Sequence, residues 1–122
     1  MSKENYSSGK ISEEEASSFL EAQGYQILLC NYKTRFAEID IVAREKNTIC
    51  FVEVKFRRSA RFGFAQEAVT PAKQAKITKA ALSFLQENNL MEVRSRFDVV
   101  AINLQDGRKV FHLIRDAFIL NE

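Results

Sequence analysis

The chain has 122 residues, of which 46% are hydrophobic and 28% charged, with ten Phe and a formal net charge of +2. That length and balance fit one ordered globular domain and exclude a disordered or low-complexity chain. No stretch approaches the roughly 18 continuous apolar residues of a membrane span, and the opening MSKENYSSGK lacks the apolar run of a secretory signal, so a cytoplasmic protein is expected.

Residues 1–9 read as a flexible N-terminal segment of a single domain spanning 1–122. In SEEEASSFLEAQGY, Ser12 is placed as an N-cap with Glu15 three residues on, acids fill the first turn, and Gly24 is a stop, which predicts a helix of about three turns. YQILLCNY and FAEIDIVAR follow as two strands, EKNT as a turn, and ICFVEVKF as a third strand. RRSARFGFAQEAV has no clear period and reads as a loop, in which Phe62 and Phe64 form a hydrophobic clamp onto the core. TPAKQAKITKAALSFLQENN has Thr70 as N-cap and Pro71 at the first helical position, with Ile77, Ala81, Phe84 and Leu85 on one apolar stripe. The last segment predicts two strands around Asp106-Gly107, then a short terminal turn or helix. The order α-β-β-β-α-β-β implies an α/β fold with a central mixed sheet of about five strands, covered by helices on both faces.

Cys30 and Cys50 lack metal-ligand spacing and read as buried free thiols, while His112 stands alone, which argues against thiolate zinc sites and histidine-based catalysis. Charge is unevenly spread: between Lys55 and Lys79 seven basic residues face one acid, a local net charge of +6. A zone of that kind suits an anionic polymer.

The third strand raises a question, because Glu53 and Lys55 interrupt an otherwise apolar run. If Lys46 and Asn47 form a hairpin turn, Glu45 faces Thr48, Asp40 faces Glu53, and Glu38 faces Lys55. Opposed carboxylates on a covered sheet require a proton or a cation between them. Mg²⁺ or Mn²⁺, held by Asp40, Glu53 and the backbone carbonyl of Val54, would meet that need, with the Lys55 ammonium beside it. The assembly suits phosphodiester hydrolysis, and Arg57, Arg58, Lys73 and Lys76 would grip flanking phosphates without reading bases. A different hairpin register would instead leave Glu38 and Lys55 as an exposed salt bridge. Asp98, in RFDVV, reads as a structural hydrogen-bonding residue in preference to a site residue.

EID, twelve residues, then EVK resembles the PD-(D/E)xK nuclease motif. The longer stretch GYQILLCNYKTRFAEIDIVAREKNTICFVEVKFRRSARFGFAQEAVTPAKQ, with RFDVVAI, resembles the YraN family, bacterial proteins similar to archaeal Holliday junction resolvases, and the likeness covers Gly9 to Phe118. The resemblance implies a restriction-endonuclease-like fold and a magnesium-dependent endonuclease acting on DNA, branched or otherwise structured, as a homodimer by analogy with the resolvases. It makes Asp40 and Glu53 the metal-binding acids and Lys55 the catalytic lysine. Glu13 matches an acidic metal residue of the first helix, and Glu38 a supporting one. Ala37 and Ser12 depart from the family, which usually has Gly at both places. A non-catalytic nucleic-acid-binding or assembly module that keeps the nuclease fold is the alternative.

Overall fold

The computed structural model describes residues 13–57 and 70–118, with Arg57 described by its backbone alone. Helix α1 covers residues 13–22. It is followed by β1 (Gln26–Lys33), β2 (Glu38–Glu45), β3 (Thr48–Arg57), α2 (Pro71–Glu87), β4 (Arg94–Gln105) and β5 (Arg108–Phe118). The expected order is therefore realised, as one five-stranded sheet with its strands in sequence order. Only the β3–β4 pair is parallel, joined by the α2 crossover, and the other neighbours are antiparallel.

Local chemistry sets the helix ends. Gly24 adopts φ +98°, its N–H bonds Glu21 O, and the Tyr25 N–H reaches back to Leu20 O, a Schellman ending that only a left-handed residue allows. Thr70 caps α2 by accepting the Lys73 N–H on its hydroxyl at 3.2 Å, and Pro71 takes the first helical position. At the other end Asn89, at φ +56°, lets the Leu90 N–H bond Leu85 O.

The two helices cover opposite faces. Ile77, Ala81, Phe84 and Leu85 of α2 are buried, as the stripe predicted, and pack on Val42, Ile49, Phe51 and Phe97. Phe51 touches Phe84 edge-on at 5.9 Å and Phe97 at 5.6 Å between ring centroids. Ala16 and Leu20 of α1 lie on Ile41, Ala43, Cys50, Val52, Val100 and Ile102. Strand alternation follows from this division: Cys50, Val52 and Val54 face α1, whereas Phe51, Glu53 and Lys55 face α2.

Two expectations are corrected, and others fall outside the described residues. The chain continues as β5 to Phe118 where a terminal turn or helix was expected, because β4 offers it a ladder of antiparallel partners from Gln105 to Phe97. Cys50 is buried, its thiol pushed up to about 12 by burial and by Asp98, but Cys30 is exposed on edge strand β1. The flexible 1–9 segment, the Ser12 cap, Arg58 and the Phe62–Phe64 clamp lie outside the described residues.

Asp98 has the structural role expected of it. It is fully buried, and its carboxylate accepts from Tyr25 Oη at 2.7 Å, Arg96 Nε at 3.0 Å and the Asp116 N–H at 2.9 Å. The β4–β5 register shifts between Phe97 and Val99, and Asp116 takes φ +55° there, so Asp98 satisfies an N–H at an irregular point of the ladder. Arg96 also binds Glu45, which Arg115 grips from β5 at 2.8 Å. Removing the central acceptor would leave the buried Tyr25 phenol and the Asp116 N–H without their acceptor and the partly buried Arg96 guanidinium with Glu45 alone. We therefore expect Asp98→Ala to lose about 3–5 kcal/mol in denaturant unfolding, and Tyr25→Phe about 1 kcal/mol.

Candidate functional site

A fork in the sheet builds the site. The β2–β3 ladder runs from Glu45↔Thr48 to Ile41↔Val52, in the register expected from a Lys46-Asn47 turn, and stops there. Past that point β2 keeps its pairing with β1, through Tyr32↔Ile39 and Lys33↔Glu38, while β3 stays on β4 as far as Arg57↔Asn103. The Val54 N–H, left without a β2 carbonyl, donates instead to Asp40 Oδ2 at 2.8 Å. Strand residues send N–H and C=O toward the same neighbour. The Val54 carbonyl consequently faces the same opening.

Asp40 and Glu53 meet across this fork, near enough for each carboxyl group to govern the ionisation of the other. Burial, then the Glu53 hydrogen bond and charge, push Asp40 up to about 8. Glu53 is 6% exposed. Burial opposes its ionisation, yet the Asp40 hydrogen bond and Lys73 hold it below the ordinary carboxylate value. The pair thus carries one proton and one negative charge near neutrality.

Two ammonium groups close the cluster. Lys55 Nζ lies 3.5 Å from Glu53 Oε2, and Lys73 Nζ, from the first turn of α2, contacts the same oxygen. Burial and the adjacent Lys73 charge push Lys55 below its usual value, against the pull of Glu53. Burial also opposes charge on Lys73, but Glu53 wins and raises it. With Asp40 held toward its neutral form and Glu53 ionised, the two ammonium groups outweigh the negative charge of the pair and leave the lysine side of the cluster electropositive.

The structure brings together Asp40, Glu53, Lys55 and Lys73. Two carboxylates and the Val54 carbonyl are hard oxygen donors facing one opening, a set that fits Mg²⁺ or Mn²⁺ completed by water. Among the described residues no three His, Cys, Asp or Glu side chains gather into a metal-binding group. Burial raises Glu13, with the charges of Glu38 and Glu53 adding to it, whereas the Asn31 amide, once turned so that its nitrogen faces the carboxylate at 3.2 Å, lowers it. The predicted opposition of Glu38 and Lys55 does not form, because the ladder has ended: Glu38 is exposed and lies 3.9 Å from Lys33. Lys76 is exposed on α2. Ala37 is not among the left-handed residues, and it packs against the α2-side core, so replacing the family's glycine strains nothing here. Sequence reasoning gave Lys73 to flanking phosphates and missed its contact with Glu53. The signal was available: a crossover helix after β3 starts near that strand's C-terminal end, and Lys73 is the first lysine on it.

Residues 12–102 match the model of the uncharacterised protein family UPF0102. A UPF0102 protein of Syntrophus aciditrophicus is 49% identical over 117 residues, covering 96% of this chain and 92% of its own. One from Desulforapulum autotrophicum is 50% identical over 110 residues, covering 90% and 91%. Another, from a Sulfurihydrogenibium species, is 46% identical over 112 residues, covering 92% and 94%. The YraN resemblance of the sequence is to this same family.

The raised Asp40 carboxyl gives a pH signature. Between about pH 4 and 8 the folded chain holds a proton there that the unfolded chain has lost, so this contribution to stability is complete below pH 4 and declines through about 8. Without added divalent ions, we expect thermal stability to fall across that window by up to about 1 kcal/mol per pH unit. Asp40→Asn should flatten the slope and exceed wild type at pH 8 in the same melting series.

Proposed function

This chain belongs to the uncharacterised protein family UPF0102, and we propose that it is a metal-dependent endonuclease that hydrolyses phosphodiester bonds in DNA. The observation that carries this reading is the Asp40–Glu53 carboxyl pair at the fork, with two ammonium groups on one side of it. Asp40, Glu53 and the Val54 carbonyl would hold Mg²⁺ or Mn²⁺. When bound, such an ion would supply Lewis-acid charge for a phosphate held there.

The chain's own residues supply the rest. In hydrolysis a water oxygen bonds to phosphorus while an ester oxygen leaves and takes up a proton. Lys55, with its ammonium depressed by burial, is suited to orient that water and to offset charge growing on the phosphate oxygens. Lys73 has two-fifths of its side-chain surface exposed, which lets it swing from Glu53 to a neighbouring phosphate. Arg57, Arg58 and Lys76 continue the basic segment in sequence and serve backbone contacts that do not read bases. The likeness to resolvases favours branched or structured DNA, a homodimer, and a cytoplasmic setting. No described helix is long and apolar enough to cross a membrane.

A second reading has its own support. Lys73 already neutralises Glu53, and no third acidic, His or Cys ligand joins the pair among the described residues. A nucleic-acid-binding module with an internal ion pair in place of a metal would look the same.

The test is to titrate Mg²⁺ and Mn²⁺ by calorimetry and to assay linear, flapped and four-way-junction DNA. Asp40→Ala is expected to lose metal binding and cutting together, and Lys55→Ala to keep metal binding while losing about 100-fold in rate. Tight DNA binding by wild type without cutting of any form would end the catalytic reading. Lys73→Met separates the two readings further. As a nuclease the chain should bind Mn²⁺ about tenfold more tightly once this competing ammonium is gone, a change of about 1.4 kcal/mol. As a binding module it should gain no metal affinity and should lose DNA affinity.

A further inference from the structure

At the opposite end of the sheet, the β2–β3 turn and the segment entering β4 enclose an open cleft of about 700 Å³. Arg44, Lys46, Asn47, Thr48, Glu92 and Arg94 line it. Thr48 lies five residues before Glu53 on β3, which places the cleft roughly 16 Å from the carboxyl pair at about 3.3 Å per residue. It is a separate place on the molecule.

Three cations face one acid there. Ion pairs do form at other places on the molecule, where Arg96 and Arg115 meet Glu45, Lys109 meets Glu15, and Lys55 and Lys73 meet Glu53. Arg44, Lys46 and Arg94 form no ion pair among the described residues, although Glu92 lines the same cleft. The Arg44 Nε–H is moreover buried and has no acceptor. Buried polar groups are normally satisfied, so the Arg44 side chain keeps donor capacity that the described residues leave unused.

The partner's chemistry follows from the donors. Guanidinium groups on β2 and β4 and an ammonium on the turn approach from three segments that the hairpin and the Thr48↔Arg94 pairing hold together. The Thr48 hydroxyl and the Asn47 amide add neutral donors. Several donors lining one cleft suit an oxyanion, and a guanidinium fork favours phosphate oxygens. We infer that this cleft is a phosphate-binding site, distinct from the Asp40–Glu53 site and independent of whether that site is a nuclease. The phosphate could belong to a nucleic-acid backbone or to a small phosphorylated molecule.

The experiment is a nuclear magnetic resonance titration of the isotope-labelled full chain with inorganic phosphate and, separately, with a short single-stranded oligodeoxynucleotide, at constant ionic strength set by chloride. We expect the Arg44 Nε–H and the backbone amides of Asn47, Thr48 and Arg94 to shift and saturate. In Arg44→Gln the affinity should fall at least tenfold, with Arg44→Lys between, since it keeps the charge and loses the fork. Arg94→Gln, on the cleft rim, provides a second reading should Arg44→Gln not fold. Saturation by the oligonucleotide at concentrations where free phosphate is inactive assigns the site to a nucleic-acid backbone. Saturation by phosphate alone assigns it to a small molecule. Absence of shifts with both probes, or shifts that survive in both Gln variants or that chloride reproduces, overturns the inference.

Discussion

The parting of β2 from β3 after Ile41 and Val52 is the constraint from which the site follows. Two strands that stayed paired would satisfy the Val54 N–H with a carbonyl and close the space between them. Because they separate, a side chain must do that work, and Asp40 is short enough to reach the amide from the neighbouring strand. The same act fixes its carboxylate against Glu53 in a place where burial penalises two charges. The tendency of Asp40 to keep its proton and the ammonium groups of Lys55 and Lys73 are the compensations around the pair.

The parting is possible because each strand has another neighbour. β2 leans on β1 and β3 on β4, and the β3–β4 ladder continues five residues past Val52, to Arg57. Backbone satisfaction is thus kept on the outer sides of the fork while its inner sides are freed for ligands. The α2 crossover, required by parallel pairing, then delivers the helix's first turn and Lys73 to the mouth of the opening. Fold topology and site electrostatics are in this sense one arrangement.

Much of this was legible in the chain. Lys46-Asn47 between two extended runs fixes the hairpin, and with it which side chains share a face, so Asp40, Glu53 and Lys55 could be placed together from spacing alone. The α2 boundaries were legible because Thr70 and Pro71 act locally, and its stripe because burial has helical period. The end of the ladder was not, since it depends on β1 and β4 competing for the same strands, a non-local balance. Glu38 was misplaced for that reason. Cys30 was misread because an apolar neighbourhood in sequence does not distinguish an edge strand from a central one. Asp98 was correctly separated from the site, but its partners Tyr25 and Arg96 come from distant segments that only the folded sheet assembles.

The β3–β4 ladder has a further consequence, for how the molecule comes together. Every one of its pairs joins residues 46 positions apart, whereas β1–β2–β3 and β4–β5 are linked by short turns. The two meanders can form early from local contacts, with α1 covering one face of the first, but the Val42, Ile49 and Phe51 face waits for α2 and Phe97. Closing the long segment between them costs entropy before the ladder returns any contact. The slow event in folding is therefore the docking of the two halves, at the layer where Phe51, Phe84 and Phe97 meet. Lys73 sits in the crossover helix itself, so its contact with Glu53 forms only when the first turn of α2 is seated on β3.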